Sequence, residues 1–428
     1  MKRAEITACL VMAAALGWPS QAASADSALT PAAEPTPGPA SSEPAAPSSP
    51  SAATPSSAAA PAPAAAPSSG AAPSSAAAAV PTAIAIAASD WKFGGDLRLR
   101  YEGTTQQKPT ATPLLMDPRH KEVMRFRAGV TRNFGSQVTF GARVATGSAD
   151  DPNSSDVTIG DFADEFEISL DRVFLEVRSG NFAAVGGKFV NPFATTELVW
   201  DGDVHTQGVA ASYGLGSGRV KPRAVGLLYL VDEQAAGPDS YMAGGQLQFV
   251  VRGSSAWSVA FASGYYDYTI KSLRNADTGD TRSNRLAPGG LTYASDFDLL
   301  DTTFSVDHTG FGKRFPVRVI GDYVKNFGAD DQNVGFGIDV FVGRASAKGD
   351  LRFRYGYSQA GTDAVLAAFS HDNTSLATNY RQHTGTFDWQ IRKELQLNAT
   401  WYLYQKLEAG SAPNPWINRL RLNALVAF

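Results

Sequence analysis

Leu420-Arg421-Leu422-Asn423-Ala424-Leu425-Val426-Ala427-Phe428 carries apolar side chains at 420, 422, 424, 426 and 428, with Arg421 and Asn423 in between. Successive side chains of a β-strand point to opposite faces, so this stretch predicts a strand whose two faces differ in polarity. The pattern recurs at 91–102, where Trp91, Phe93, Leu97, Leu99 and Tyr101 alternate with Asp96, Arg98, Arg100 and Glu102. At 124–131, Met124, Phe126, Ala128 and Val130 are set against Arg125, Arg127 and Thr131, and 138–144 repeats the alternation around Arg143. Further alternating segments lie near 172–178, 182–189, 207–213, 222–231, 242–251, 257–265, 299–307, 316–324, 334–342, 350–358, 380–391 and 395–404. That makes sixteen with 417–428, the seventh (222–231) alternating poorly.

A soluble sandwich turns such apolar faces to a core, whereas a membrane barrel turns them to lipid and its charged faces to a wet lumen. The connections separate the two. Those after even-numbered segments are short, as at Asn133-Phe134-Gly135-Ser136, Ser179-Gly180-Asn181 and Gly253-Ser254-Ser255. Those after odd-numbered segments are mostly long, as at 103–122, 145–165, 190–206, 266–298 and 359–379. Regular alternation of short turns and long loops is the habit of outer-membrane barrels, and an even count suits closure. The expected fold is therefore all-β: a transmembrane antiparallel up-and-down β-barrel of sixteen strands, with eighteen as the alternative count. Both barrel ends would then lie on the periplasmic side. No run of about 20 apolar residues is present to span a membrane as a helix.

The amino terminus agrees with export. Met1-Lys2-Arg3 precedes an apolar run at 8–18 and the small residues Ala22-Ala23-Ser24-Ala25, the layout of a secretory signal at 1–25. Pro19 ends the run after eleven residues, short of the roughly 18 that an anchor requires. Cys9, the single cysteine, falls inside that signal, so a mature chain would have no disulfide or thiolate metal site. Residues 26–89 are nearly all Ala, Pro and Ser and predict a disordered periplasmic spacer before the barrel domain at 90–428. Residues 91–428 carry 35 basic and 36 acidic residues, without the basic excess expected of a nucleic-acid binder.

Several strings resemble the putative porin family of Gram-negative bacteria. They are GDLRLRYEG at 95–103, RFRAGV at 125–130, ARVATGS at 142–148, DPNSSDVTIG at 151–160, LDRVFLEV at 170–177, GGKFVNPF at 186–193 and VWDGDVHTQG at 199–208. The terminal strand ending on Phe428 is similar to the assembly signal read by the barrel assembly machinery in bacterial porins. The resemblance implies an outer-membrane barrel that passes small hydrophilic solutes or ions by passive diffusion. Partners expected on this reading are outer-membrane lipid and lipopolysaccharide, the assembly machinery and the solutes themselves, with a homotrimer as a candidate assembly. Nucleic acid and cofactors are not expected.

Strand phase assigns the pore lining. Inward arginines are expected at Arg98, Arg100, Arg125, Arg127, Arg143, Arg352, Arg354, Arg419 and Arg421, and closure would join the last two to the first strand. Inward acids concentrate at Asp301, Asp322 and Asp339, on the opposite wall. The stretch 191–205, with Glu197, Asp201 and Asp203, follows the fifth strand and is the candidate constriction loop, its acids facing the arginines. Opposed walls of charge set a transverse field that sorts permeating ions.

Two other functions fit the composition. A hydrolytic barrel, phospholipase or protease, would need a Ser/His pair, and of the five histidines only His383 lies in the lipid-facing phase, without a nucleophile-elbow string. A soluble periplasmic β-rich binding module would dispense with the loop parity. A gated receptor would need about 22 strands and a folded plug. Metal sites are not expected, because Asp150–Asp156 and Asp201-Gly202-Asp203 lack EF-hand spacing.

Overall fold

The computed structural model describes residues 90–106, 118–150, 153–160, 165–215, 218–253, 256–276, 278–309, 312 and 314–428. The expected signal (1–25) and spacer (26–89) lie outside the described residues.

Sixteen strands form the wall: β1 (Trp91–Gln106), β2 (Arg119–Phe134), β3 (Val138–Thr146), β4 (Ile168–Ser179), β5 (Phe182–Val190), β6 (His205–Gly214), β7 (Val220–Asp232) and β8 (Ser240–Arg252). They continue as β9 (Trp257–Thr269), β10 (Phe297–His308), β11 (Val317–Asn326), β12 (Val334–Gly343), β13 (Leu351–Ala360), β14 (Tyr380–Gln390), β15 (Leu395–Lys406) and β16 (Ile417–Ala427). A two-residue piece, Val157–Thr158, also pairs with β2, and one helical turn occupies Thr278–Thr281. Consecutive wall strands pair antiparallel, and β1 pairs with β16 from Asp96↔Ala427 to Gln106↔Ile417. The sheet is a closed barrel of sixteen strands, not eighteen. Closure satisfies the strand edges that an open sheet leaves unpaired.

Alternation sorts the faces as expected. Leu99, Leu175, Phe261, Phe304, Ile338 and Leu422 are between 43 and 51 % exposed on the outer surface. In water, each would forgo roughly 1.5–3 kcal/mol of burial energy, so a surface composed this way is suited to hydrocarbon. Their strand neighbours Arg98, Arg100, Asp301, Thr303 and Arg421 are buried inside.

The interior is divided. One side is an apolar core in which Val225, Leu227 and Tyr229 of β7, Met242 of β8, Tyr266 and Tyr268 of β9 and Leu299 of β10 pack with residues of two loops, 191–204 and 361–379. Strand β7 alternates poorly for this reason. Its inward residues meet folded loops rather than water, while Leu230 is exposed on the outer face. The other side is polar and holds most of the charged residues.

Candidate functional site

Both ends of the 191–204 loop leave the wall just beyond a pair of glycines. Gly187 and Gly208 face each other across β5 and β6 with φ of 114° and 151°. A β-carbon there would lie 2.3 Å from the Val173 carbonyl oxygen or 2.1 Å from that of Leu228, which a side chain cannot tolerate. Beyond this pair the loop turns into the barrel and is held there by its own hydrogen bonds. Asn191 Oδ1 accepts from the Phe193 amide (3.0 Å), the Thr196 carbonyl accepts from the Val199 and Trp200 amides (3.1 and 3.0 Å), and Trp200 Nε1 donates to the Val204 carbonyl (2.9 Å). From the wall, Gln246 brackets Ala194, accepting from its amide at 2.7 Å and donating to its carbonyl at 3.0 Å. Thr196 donates to Asp322.

A second loop, 361–379, comes in from the opposite wall and locks onto the first. The Asp201 amide donates to the Phe369 carbonyl (2.7 Å), the His371 amide to the Glu197 carbonyl (3.1 Å) and Asn373 Nδ2 to Glu197 Oε2 (3.1 Å). Trp200 stacks on Phe369 at 5.2 Å between ring centroids, with Tyr229 packed against both. A third loop contributes Asn284, which donates to the Thr362 and Val365 carbonyls (2.8 and 3.0 Å) and accepts from the Ala367 amide (2.7 Å). The apolar run Ala364-Val365-Leu366-Ala367-Ala368-Phe369 is the sequence signal for this lock, being out of place in a loop expected to be polar and external.

The candidate acids divide accordingly. Asp203 faces the arginines, 3.0 Å from Arg127 and 3.8 Å from Arg125. Glu197 is half-buried between the two loops and reaches the same cavity as Arg354, whereas Asp201 is fully buried and accepts from the Asp203 and Asp372 amides (2.8 and 3.4 Å). Burial, and then the neighbouring Asp372, pushes the Glu197 carboxyl above the usual range, and burial with Glu197 and Asp372 does the same to Asp201. Asp301, Asp322 and Asp339 are inside the barrel as phase required. Asp301 accepts from Tyr266 (2.9 Å) in the apolar half and Asp322 from Thr196, so loop 191–204 covers this part of the wall. Asp339 is bonded twice by Arg354, at 2.8 and 3.0 Å.

The arginines also fall into two sets. Arg98 and Arg100 share the carboxylate of Asp156 at 2.5 and 2.6 Å, with all three side chains essentially inaccessible. Burial alone would raise the Asp156 carboxyl, but Arg100 and Arg98 outweigh it and hold it below the usual range. Arg421 donates to Glu102 (2.8 Å) and Asn373 (2.9 Å), and Arg419 to the Asn373 carbonyl (2.9 Å). These four arginines fasten loop segments to the wall. Arg125, Arg127, Arg143, Arg352 and Arg354 line a cavity of about 500 Å³ beside loop 191–204 and the turn at 391–394, which Arg98 also borders. Arg125 and Arg127 share Asp96 (2.9 and 2.8 Å), Arg143 holds Asp171 (2.8 Å) and Arg352 holds Asp388 (2.7 Å).

Arg172, Asp171 and His205 also belong to this lining or its ion pairs, although phase did not single them out. Between Arg143 and Val144 the β3–β4 register shifts by one residue, and the bulge brings Asp171 onto Arg143. No local sequence signal announces that bulge. Asp388 was legible, since Gln382, Thr384, Thr386, Asp388 and Gln390 alternate cleanly with His383, Phe387 and Trp389. His383 lies 2.9 Å from the Tyr355 hydroxyl, with Tyr357 and Trp416 around its ring. Among the described residues, no cluster of His, Cys, Asp and Glu could hold a metal.

Phe428 closes the wall at its other end. Its amide and carbonyl exchange hydrogen bonds with Gly95 (3.1 and 2.9 Å), and its ring stacks near Phe126 at 6.2 Å.

Comparison with solved structures places this barrel among porins in fold. The high-pH structure of Pseudomonas putida OprB is similar with a TM-score of 0.52 at 9 % identity, over 79 % of this chain and 94 % of that one. Salmonella typhi OmpF in complex with daunomycin gives a TM-score of 0.50 at 9 % identity, over 79 % and 97 %. No curated protein matches the sequence. The family model described as Putative porin matches residues 105–289, the region that holds most of the motifs quoted above.

Proposed function

We propose that the protein is an outer-membrane porin, conducting small hydrophilic solutes or ions passively through the polar half of its lumen. The observation that carries this reading is a charged cavity of about 500 Å³ inside a closed barrel whose outer surface is apolar. On this reading loop 191–204 is the constriction, and the short turns, with the amino-terminal spacer, lie on the periplasmic side. Arg125, Arg127, Arg143, Arg352 and Arg354 set the field in the path, with Asp96, Asp171, Asp339 and Asp388 as counter-charges on the wall and Asp203 as the one supplied by the loop. Arg98, Arg100, Arg419 and Arg421 act mainly as fasteners.

The test is a planar-bilayer recording on the full chain, after recovery from the outer-membrane fraction and heat-modifiable migration on a gel. Stepwise KCl currents are expected, and replacing Arg125 and Arg127 together by Gln is expected to move the reversal potential in a KCl gradient towards cation preference. Absence of current from correctly folded protein would sink the proposal.

A further inference from the structure

Two cations of the cavity lining, Arg172 and Lys393 at the 391–394 turn, enter no ion pair among the described residues, and Arg172 is the one set among other arginines on the wall. Arg125 and Arg127 are matched by Asp96 and Asp203, and Arg352 and Arg354 by Asp388 and Asp339. Arg143 takes both carboxylate oxygens of Asp171, its Nε lying 3.1 and 2.8 Å from them. Arg172 stands directly opposite Arg143 across the β3–β4 ladder and lines the same cavity. Like charges placed opposite each other on one sheet face repel. Among the described residues Arg172 forms no ion pair, and its Nε is buried without a hydrogen-bond partner. His205 lies beside them, its Nε2 3.4 Å from Arg143 Nη2 and placed to accept from it.

Arg172 is half-buried, so its guanidinium still reaches the cavity, and a planar fork of donors is the geometry that takes a carboxylate in a bidentate manner. We propose that Arg172, supported by Arg143 and His205, is a binding subsite for small carboxylate anions on the permeation path. This rests on the porin reading for its role in transport but not for the binding itself. The Arg172 guanidinium can take one carboxylate group, and a cavity of about 500 Å³ has room for a small organic acid with its hydration water. The bulge that aims Asp171 at Arg143 keeps that acid from serving Arg172. Specificity for anions is therefore built into the β3–β4 register.

Sodium lactate, with its neutral analogue lactamide, is the probe. Saturation-transfer NMR on the detergent-solubilised full chain measures binding, and KCl currents in bilayers with added lactate measure block. Lactate is expected to saturate and to reduce the current, and lactamide to do neither. Arg172→Gln should raise both the dissociation constant and the half-blocking concentration at least tenfold. Arg172→Lys should retain an intermediate affinity, and Arg223→Gln, outside the cavity lining, should bind as the parent does. Equal binding by the parent and Arg172→Gln, or equal binding of lactate and lactamide by the parent, would refute the subsite even if KCl currents are normal. Should Arg172→Gln fail to fold, the lactate–lactamide comparison on the parent still decides. Lactate binding that Arg172→Gln abolishes, in a protein that passes no current, supports the subsite and overturns the porin reading instead.

Discussion

Asp156 illustrates how much one loop residue can hold. Its carboxylate sits between Arg98 and Arg100 at 2.5 and 2.6 Å in a site closed to solvent. Removing one partner of a buried ion pair leaves the other charge desolvated, at a cost of about 3–5 kcal/mol. Asp156→Asn is therefore expected to lower the temperature at which the barrel converts to its unfolded gel form, whereas Asp150→Asn, in the exposed part of the same loop, should not. The pH dependence of this fastening has a definite sign. Because the folded carboxyl lies below its ordinary value, the contribution is present above the ordinary carboxylate range and is lost as pH falls through the lowered value. Two of the residues concerned, Arg98 and Arg100, could be placed inside from phase alone. Their partner could not, since a loop has no period from which to read a direction.

At the scale of elements, loops 191–204 and 361–379 meet inside the barrel, and on the porin reading their contact sets the constriction. Trp200 contributes the largest apolar surface to it, stacked on Phe369 and hydrogen-bonded to Val204. Trp200→Ala is expected to cost about 3–5 kcal/mol, which is enough to release the loop and raise single-channel conductance severalfold. The buried acids predict a titration of opposite sign to that of Asp156. Glu197 and Asp201 lie above the usual carboxylate range when the loops are packed, so the packed form holds the extra protons. Its stability is complete below the ordinary carboxylate range and declines as pH rises through the raised values. Conductance should therefore increase on the alkaline side, and Glu197→Gln should flatten that dependence. An unchanged conductance across neutral and alkaline pH in the parent protein would show that the acids do not control the loop contact.

For the whole molecule, closure is the step on which everything else depends. Gly95 is the tight point: a β-carbon there would lie 2.2 Å from the Arg127 carbonyl oxygen and 2.7 Å from the Phe428 ring. Gly95→Val is expected to force β16 away from β1 and β2 and to reduce the heat-modifiable fraction sharply, while Gly218→Ala, before β7 with open space around it, should leave closure intact. The division of the lumen is also a property of the whole. Loops 191–204 and 361–379 interlock inside the wall and complete its apolar half, and the charged cavity lies in the polar half beside them.

The strand number, the face of nearly every wall residue and the alternation of short and long connections were determined by the sequence itself. A strand repeats every two residues, and a barrel repeats one environment along each face, so local pattern is sufficient for them. Tertiary structure alone decided which charges meet. The inward fold of 191–204 and 361–379, the covering of Arg98, Arg100, Asp301 and Asp322, and the bulge that leaves Arg172 unmatched all join residues far apart in the chain. Pairing of that kind depends on which loops reach the interior and on buried charges finding partners there. Neither condition has a period that a linear pattern can carry.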